Sequence, residues 1–261
     1  MTETVLSADG TTIAYEVSGN GPALVIVGGA FNHRHSPDEL AGLLGENFTV
    51  YVPDRRGRGD SGNTLPYAVD RELEDLAAVI DAAGGSAMIY GHSSGAILSL
   101  LAAAGGQPIT KVVAYEPPFS FDPEGPPHES VLPKVQAALA VDDRETAVEL
   151  FMSETGMPPA AIDQTKLQPF WPAMVALAPT TEYDLTIVGD GRVPTDTLAH
   201  IAVPTLLIDG EISPPWAGRA SDAVVAAVPN ARRLTMAGQH HGVDQSVLAP
   251  VLKEFFGGGT L

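Results

Sequence analysis

Two kinds of hydrophobic pattern alternate along the chain. The first is a short, uninterrupted apolar run, as in ALVIVGG (23–29), FTVYVPD (48–54), AMIYG (87–91), KVVAYE (111–116) and PTLLIDG (204–210). Runs of that length suit strands whose two faces are both covered, the condition of a parallel sheet flanked by helices. TVLSA from Thr4 and TTIAYEVSG from Thr11 are parted by Asp9-Gly10, a hairpin signal, and ARRLTMAG (231–238) ends the series. The second pattern is helical: Leu73, Leu76, Val79, Ile80 and Ala83 recur at three- and four-residue steps beside Arg71, Glu72, Glu74 and Asp75. AILSLLAAA (96–104) is apolar all round and predicts a buried helix. The expected fold is α/β, a mostly parallel eight-stranded sheet flanked by helices.

One interval breaks the alternation. Between the sixth and seventh predicted strands no comparable strand occurs, while VLPKVQAALA (131–140), DDRETAVELFMSE (142–154) and LQPFWPAMVALA (167–178) carry helical patterns among many prolines. The interval is too long for a plain connection. It reads as a helical lid (118–203) inserted into a core made of 1–117 and 204–261.

Composition narrows the functional classes. With 32 acidic against 14 basic residues the formal charge is −18, which disfavours nucleic-acid and anionic-membrane partners. No apolar run is long enough to span a bilayer, and MTETVLSADG lacks the features of a secretory signal. The absence of cysteine removes disulfide frameworks and thiolate metal sites, so a cytoplasmic location is expected.

GHSSG (91–95) follows an apolar strand and opens an apolar helix. Gly-x-Ser-x-Gly in that context forms a tight turn that projects the central hydroxyl, making Ser93 the candidate nucleophile. The Ser94 N–H, at the helix N-terminus, is placed to bind a developing oxyanion. VGGAF (27–31) ends an earlier strand, and the backbone N–H of Ala30, or of Phe31, is the candidate second donor. A serine nucleophile needs an imidazole base, and GQHHGVDQ (238–245), after the last strand, offers His240 and His241.

These segments together resemble the α/β-hydrolase fold superfamily over nearly the full length: VGGA after the third strand, DRRGRGDSG (54–62) after the fourth, GHSSG after the fifth and the histidine loop after the last. The resemblance aligns the catalytic histidine with His241 and leaves His240 as a pocket neighbour. It also makes Asp54 part of a structural loop. In many members the triad acid follows the seventh strand in Gly-x-x-Asp, but here that position reads Gly210-Glu211-Ile212-Ser213. A neutral serine cannot balance an imidazolium, and Glu211 lies two residues early. The other known location, the end of the sixth strand, holds Glu116, which is the preferred acid. GHSSGA, YEPP and the histidine loop are locally similar to the fungal zearalenone lactone hydrolases, whose lid does not match.

The resemblance implies a serine hydrolase of a hydrophobic carboxylic ester or lactone, working without metal or organic cofactor. Phe31, His33, Phe119, Trp171, Trp216 and His240 are the candidate pocket residues, with lid packing the competing role for the aromatic ones. A ligand-binding, receptor-like member with little turnover is the alternative from another class. Carbon–carbon bond hydrolysis and perhydrolysis would use the same triad.

Overall fold

Apolar runs become strands here because each has two faces to bury. The computed structural model describes residues 2–120 and 129–259. Its strands are β1 (Thr2–Leu6), β2 (Thr12–Gly19), β3 (Ala23–Val27), β4 (Thr49–Pro53), β5 (Ala87–His92), β6 (Ile109–Tyr115), β7 (Thr205–Gly210) and β8 (Ala231–Met236). They form one sheet in the order β1-β2-β4-β3-β5-β6-β7-β8. The β1–β2 and β2–β4 pairings are antiparallel and the rest are parallel.

Successive side chains of a strand point to opposite faces, so each run feeds two cores. Leu24, Ile26, Val113, Tyr115, Leu206 and Ile208 share one core with α1 (Asp38–Leu44) and α11 (Gln245–Gly257). Val25, Val27, Val112, Ala114 and Leu207 share the other with α2 (Val69–Ala82), α3 (Ser94–Ala104) and α10 (Pro215–Ala227). Each Leu, Ile or Val removed from water in this way contributes about 1.5–3 kcal/mol. In α2 Leu76, Val79 and Ile80 of the predicted apolar stripe are buried and Leu73 is half-buried, yet Glu72 and Asp75 are buried with them because they pair with Arg55 and Arg56.

Between β6 and β7 lie α4 (Leu132–Ala140), α5 (Arg144–Glu154), α6 (Pro159–Lys166), α7 (Trp171–Ala176), α8 (Thr181–Val188) and α9 (Thr195–Leu198). Part of the interval read as an insertion, 121–128, lies outside the described residues. Asp143 starts α5 by accepting the Thr146 N–H, which places the start after the first two residues of the predicted segment. Of the helical pattern over 167–178, α7 takes up Trp171–Ala176. Pro172 lacks an N–H and fits only a first turn, so α7 begins at Trp171 and leaves 167–170 outside it.

Packing divides the interval between β6 and β7. Val135, Val148, Met152, Ile162 and Trp171 gather in a small core of their own. Phe119, Ile187, Leu198 and Ile201 instead join the main core beside α2 and α3.

The strand registers bring the site together. Val27 pairs with Gly91, His92 with Tyr115, Tyr115 with Ile208, and Gly210 with Met236. The chain leaves β3 for β4 on one side and β5 on the other, the switch point where open α/β sheets bind ligands beyond their strand ends. Every candidate triad residue lies just past one of these carboxyl ends.

Candidate active site

Ser93 stands between β5 and α3 with φ 57° and ψ −125°, a conformation that non-glycine residues rarely hold. Its N–H extends the sheet ladder to the Tyr115 carbonyl at 2.9 Å. The turn needs glycine at position 95, where a Cβ would lie 2.3 Å from the Val27 carbonyl oxygen. A second close approach puts the 28–30 turn against the serine: a Cβ on Gly29 would lie 2.7 Å from Ser93 Cβ and 3.3 Å from Ser93 Oγ. Ala30 is thereby brought beside the elbow.

Glu116 continues β6 by one residue, its N–H donating to the Ile208 carbonyl at 2.9 Å. Its φ of 44° turns the chain there, and its side chain is wholly buried. Glu116 Oε2 lies 2.7 Å from His241 Nδ1. The other oxygen, Oε1, accepts the Gly210 N–H at 2.8 Å and the Ser213 hydroxyl. Burial alone would raise the Glu116 pKa, but the hydrogen bonds from His241, Ser213 and Gly210 outweigh it and hold the carboxyl below its ordinary value. An ionised carboxylate only accepts, so Nδ1 of His241 carries the proton and Nε2 is left as the acceptor.

The histidine loop is fastened from beneath. The Tyr115 hydroxyl donates to the His240 carbonyl at 2.7 Å, and His92 Nε2–H donates to the His241 carbonyl at 2.8 Å. Burial, aided by repulsion from His241, lowers the His92 pKa from an ordinary 6.5 to about 4, so this imidazole is neutral at neutral pH. The His92 and His241 ring centroids are 4.8 Å apart, and Trp216 meets His241 edge-on at 6.1 Å. Glu211 turns to the loop backbone, accepting the Gly238 N–H at 2.9 Å.

Of the expected pocket residues, Trp216 is brought against His241. Phe31, with φ 59°, sets its ring at 89° to that of Phe151 on α5, centroids 5.3 Å apart. Phe119 and Trp171 are taken up by packing, at 5% and 7% exposure, in the main core and the insertion core. A side chain as large as Trp171 gains by burial, and it fills the core of the β6–β7 interval. His33 and His240 are exposed; His33 Nδ1 accepts the His35 N–H and His240 Nδ1 accepts the Gly242 N–H.

The DRRGRGDSG loop does more than its sequence announces. Asp54 is buried and accepts the backbone N–H groups of Arg34 and Asp60. Arg55 forms a two-point pair with Glu72, each contact 2.6 Å, and also reaches Asp184 Oδ1 at 2.9 Å. Arg58 reaches Asp184 Oδ2 at 2.7 Å and donates to the Gly29 carbonyl. In the sequence His92 carries no assigned role, Ser213 stands only as the vacated acid position, and Asp184 is not singled out. For the two arginines a signal existed, since a glycine-rich loop holds three of the chain's 14 basic residues.

A strained serine elbow over a mostly parallel sheet, with a buried acid on a histidine after the last strand, defines the α/β-hydrolase class of architecture. The model of the Alpha/beta hydrolase family matches residues 23–248, and the chain belongs to that family. It is similar to the solved structure of an alpha/beta hydrolase from Sphaerobacter thermophilus DSM 20745, with 49% identity and a TM-score of 0.92 over 97% of this chain and 100% of that one. It is 28% identical over 255 residues to the non-heme haloperoxidase of Rhodococcus erythropolis, covering 92% of each. The N-formylmaleamate deformylase of Pseudomonas putida KT2440 is 38% identical over 120 residues, which span 44% of this chain and only 45% of that protein.

Proposed function

We propose that the protein is a serine hydrolase of a small hydrophobic carboxylic ester or lactone. The observation that carries this reading is the 2.7 Å contact between buried Glu116 and His241 Nδ1, beside a serine in the strained elbow. In the proposed cycle His241 Nε2 takes the Ser93 proton as Oγ attacks the carbonyl carbon. The N–H groups of Ala30 and Ser94 hold the resulting oxyanion, and Glu116 stabilises the imidazolium. His241 then protonates the leaving alkoxide, and water, deprotonated by the same imidazole, releases the acid. The steps need only these side chains and water. Trp216, Phe31 and Phe151 support an apolar substrate, with the insertion acting as a lid.

The test is an ester and lactone panel on wild type and three variants. Ser93→Ala should lose about 10³-fold or more in kcat, and Glu116→Gln about 10³–10⁴-fold, since a neutral amide leaves the imidazolium unbalanced. Glu211→Gln should stay within about threefold of wild type, because Glu211 binds loop backbone and not the imidazole. A fluorophosphonate should label wild type rapidly at Ser93. Slow labelling and no turnover would favour the ligand-binding alternative instead. The similarity to proteins named haloperoxidase and deformylase adds two arms to the panel, hydrogen peroxide as acyl acceptor and an N-formyl amide as substrate.

A further inference from the structure

We infer that Asp184, supplied by the insertion, is the positioning residue of the oxyanion hole and holds both halves of it from one buried carboxylate. The inference rests on the serine-hydrolase reading above. Asp184 Oδ1 accepts the Ser94 hydroxyl at 2.6 Å, and Oδ2 accepts Arg58 Nη2 at 2.7 Å. Arg58 Nη1 in turn donates to the Gly29 carbonyl. A trans peptide unit is planar, with its C=O and N–H on opposite sides. Fixing the Gly29 carbonyl therefore aims the Ala30 N–H away from Arg58. The other half follows more directly, since the hydroxyl of Ser94 belongs to the residue whose N–H opens α3.

The arrangement is buried and electrically balanced. Asp184, Ser94, Arg55 and Arg58 are all buried, and Arg55 and Arg58 face Glu72 and Asp184. Burial would raise the Asp184 pKa, but Arg58 and Arg55 outweigh it, so the carboxylate stays ionised. Hydrogen bonds in such surroundings are stiff, which is what a preformed oxyanion hole requires. The helix that carries Asp184 is itself anchored to the core. Tyr183 stacks on Tyr67 with centroids 3.9 Å apart, and its hydroxyl hydrogen-bonds Asn63. α8 thus serves the catalytic machinery through Asp184, while its Leu185 packs with Trp171 and its neighbours in the other part of the insertion.

Three variants read the two arms: Asp184→Asn, Arg58→Lys, which cannot span both acceptors, and Ser94→Ala, which keeps the backbone N–H. Each is assayed for kcat and KM on the best panel substrate, and for inhibition by a trifluoromethyl ketone of the same acyl group. That inhibitor adds Ser93 Oγ to its carbonyl and places an alkoxide in the hole. Asp184→Asn and Arg58→Lys should lower kcat by about 10–100-fold, and Ser94→Ala by less, with KM within about threefold. Ketone affinity should weaken in proportion to kcat/KM. Losses in the Asp184→Asn/Arg58→Lys double variant should be less than multiplicative, since both cut one chain of contacts. Melting curves identify the folded variants; if Asp184→Asn does not fold, Arg58→Lys and Ser94→Ala still decide. Folded variants that keep kcat and ketone affinity within about twofold, or that lose only in KM, overturn the inference alone. A wild type with neither Ser93-dependent turnover nor Ser93 labelling overturns the hydrolase reading and this inference with it.

Discussion

Ser213 occupies the place after β7 where an acid is expected, and its hydroxyl donates to Glu116, the candidate acid just past β6. It completes a pair of donors, with the Gly210 N–H, that fixes Glu116 Oε1 and leaves Oε2 for His241. Ser213→Ala removes one donor to an ionised carboxylate and keeps the other. A loss of about 1–1.4 kcal/mol of orientation and charge stabilisation converts to a five- to tenfold drop in kcat/KM. Steady-state kinetics check it, and a drop under about twofold would mean that Gly210 alone suffices. The strained elbow at Ser93 was legible because its signal is local: glycines, strand and helix stand in one short stretch. Glu116 becomes the candidate through the family resemblance, which gives the end of the sixth strand as the other acid location, together with the missing acid at position 213. The role of Ser213 was not legible, because its partner lies on another strand, reached through a register that composition does not encode.

Elements were legible to the extent that apolar runs exceed the noise of single residues. The strands of the sheet interior bury nearly every residue, so their sequences advertise them. α6 buries only Ile162, and α9 has four residues, so neither offers a periodic stripe. α8 presents a different obstacle, since one of its buried residues is Asp184, a residue type that ordinarily marks a solvated face. α2 shows the same inversion at Glu72, whose two oxygens are both held by Arg55. Glu72→Ala would leave Arg55 with Asp184 as its remaining carboxylate partner in a dry interior. Breaking a buried pair from one side costs about 3–5 kcal/mol, well beyond a surface ion pair. Urea unfolding should register that loss, whereas Arg71→Ala, which breaks the half-exposed pair with Glu74, should cost under about 1 kcal/mol.

For the molecule as a whole, a formal charge of −18 suggests that mild acidification should relieve self-repulsion and stabilise the fold. His92 acts in the opposite direction. Its pKa is lowered from 6.5 to about 4 in the folded protein, so between those values the unfolded chain binds a proton that the folded chain excludes. Stability must then fall as pH falls through that window, with a limiting slope of about 1.4 kcal/mol per pH unit. Glu116 and Asp184, both held below the usual carboxylate range, add losses of the same sign at lower pH. The scattered surface acids are mutually screened at physiological salt, while half-buried His92, packed against Tyr115 and His241, is screened less, so the histidine decides the sign. Urea unfolding at about pH 7, 6 and 5 in constant salt should therefore show steadily declining stability. His92→Gln supplies the control, because its side-chain amide can still donate to the His241 carbonyl but does not titrate. The variant should be nearly flat over the same range. An undiminished slope in the variant would place the proton on some other group, and would remove the argument that a neutral His92 clamps the histidine loop.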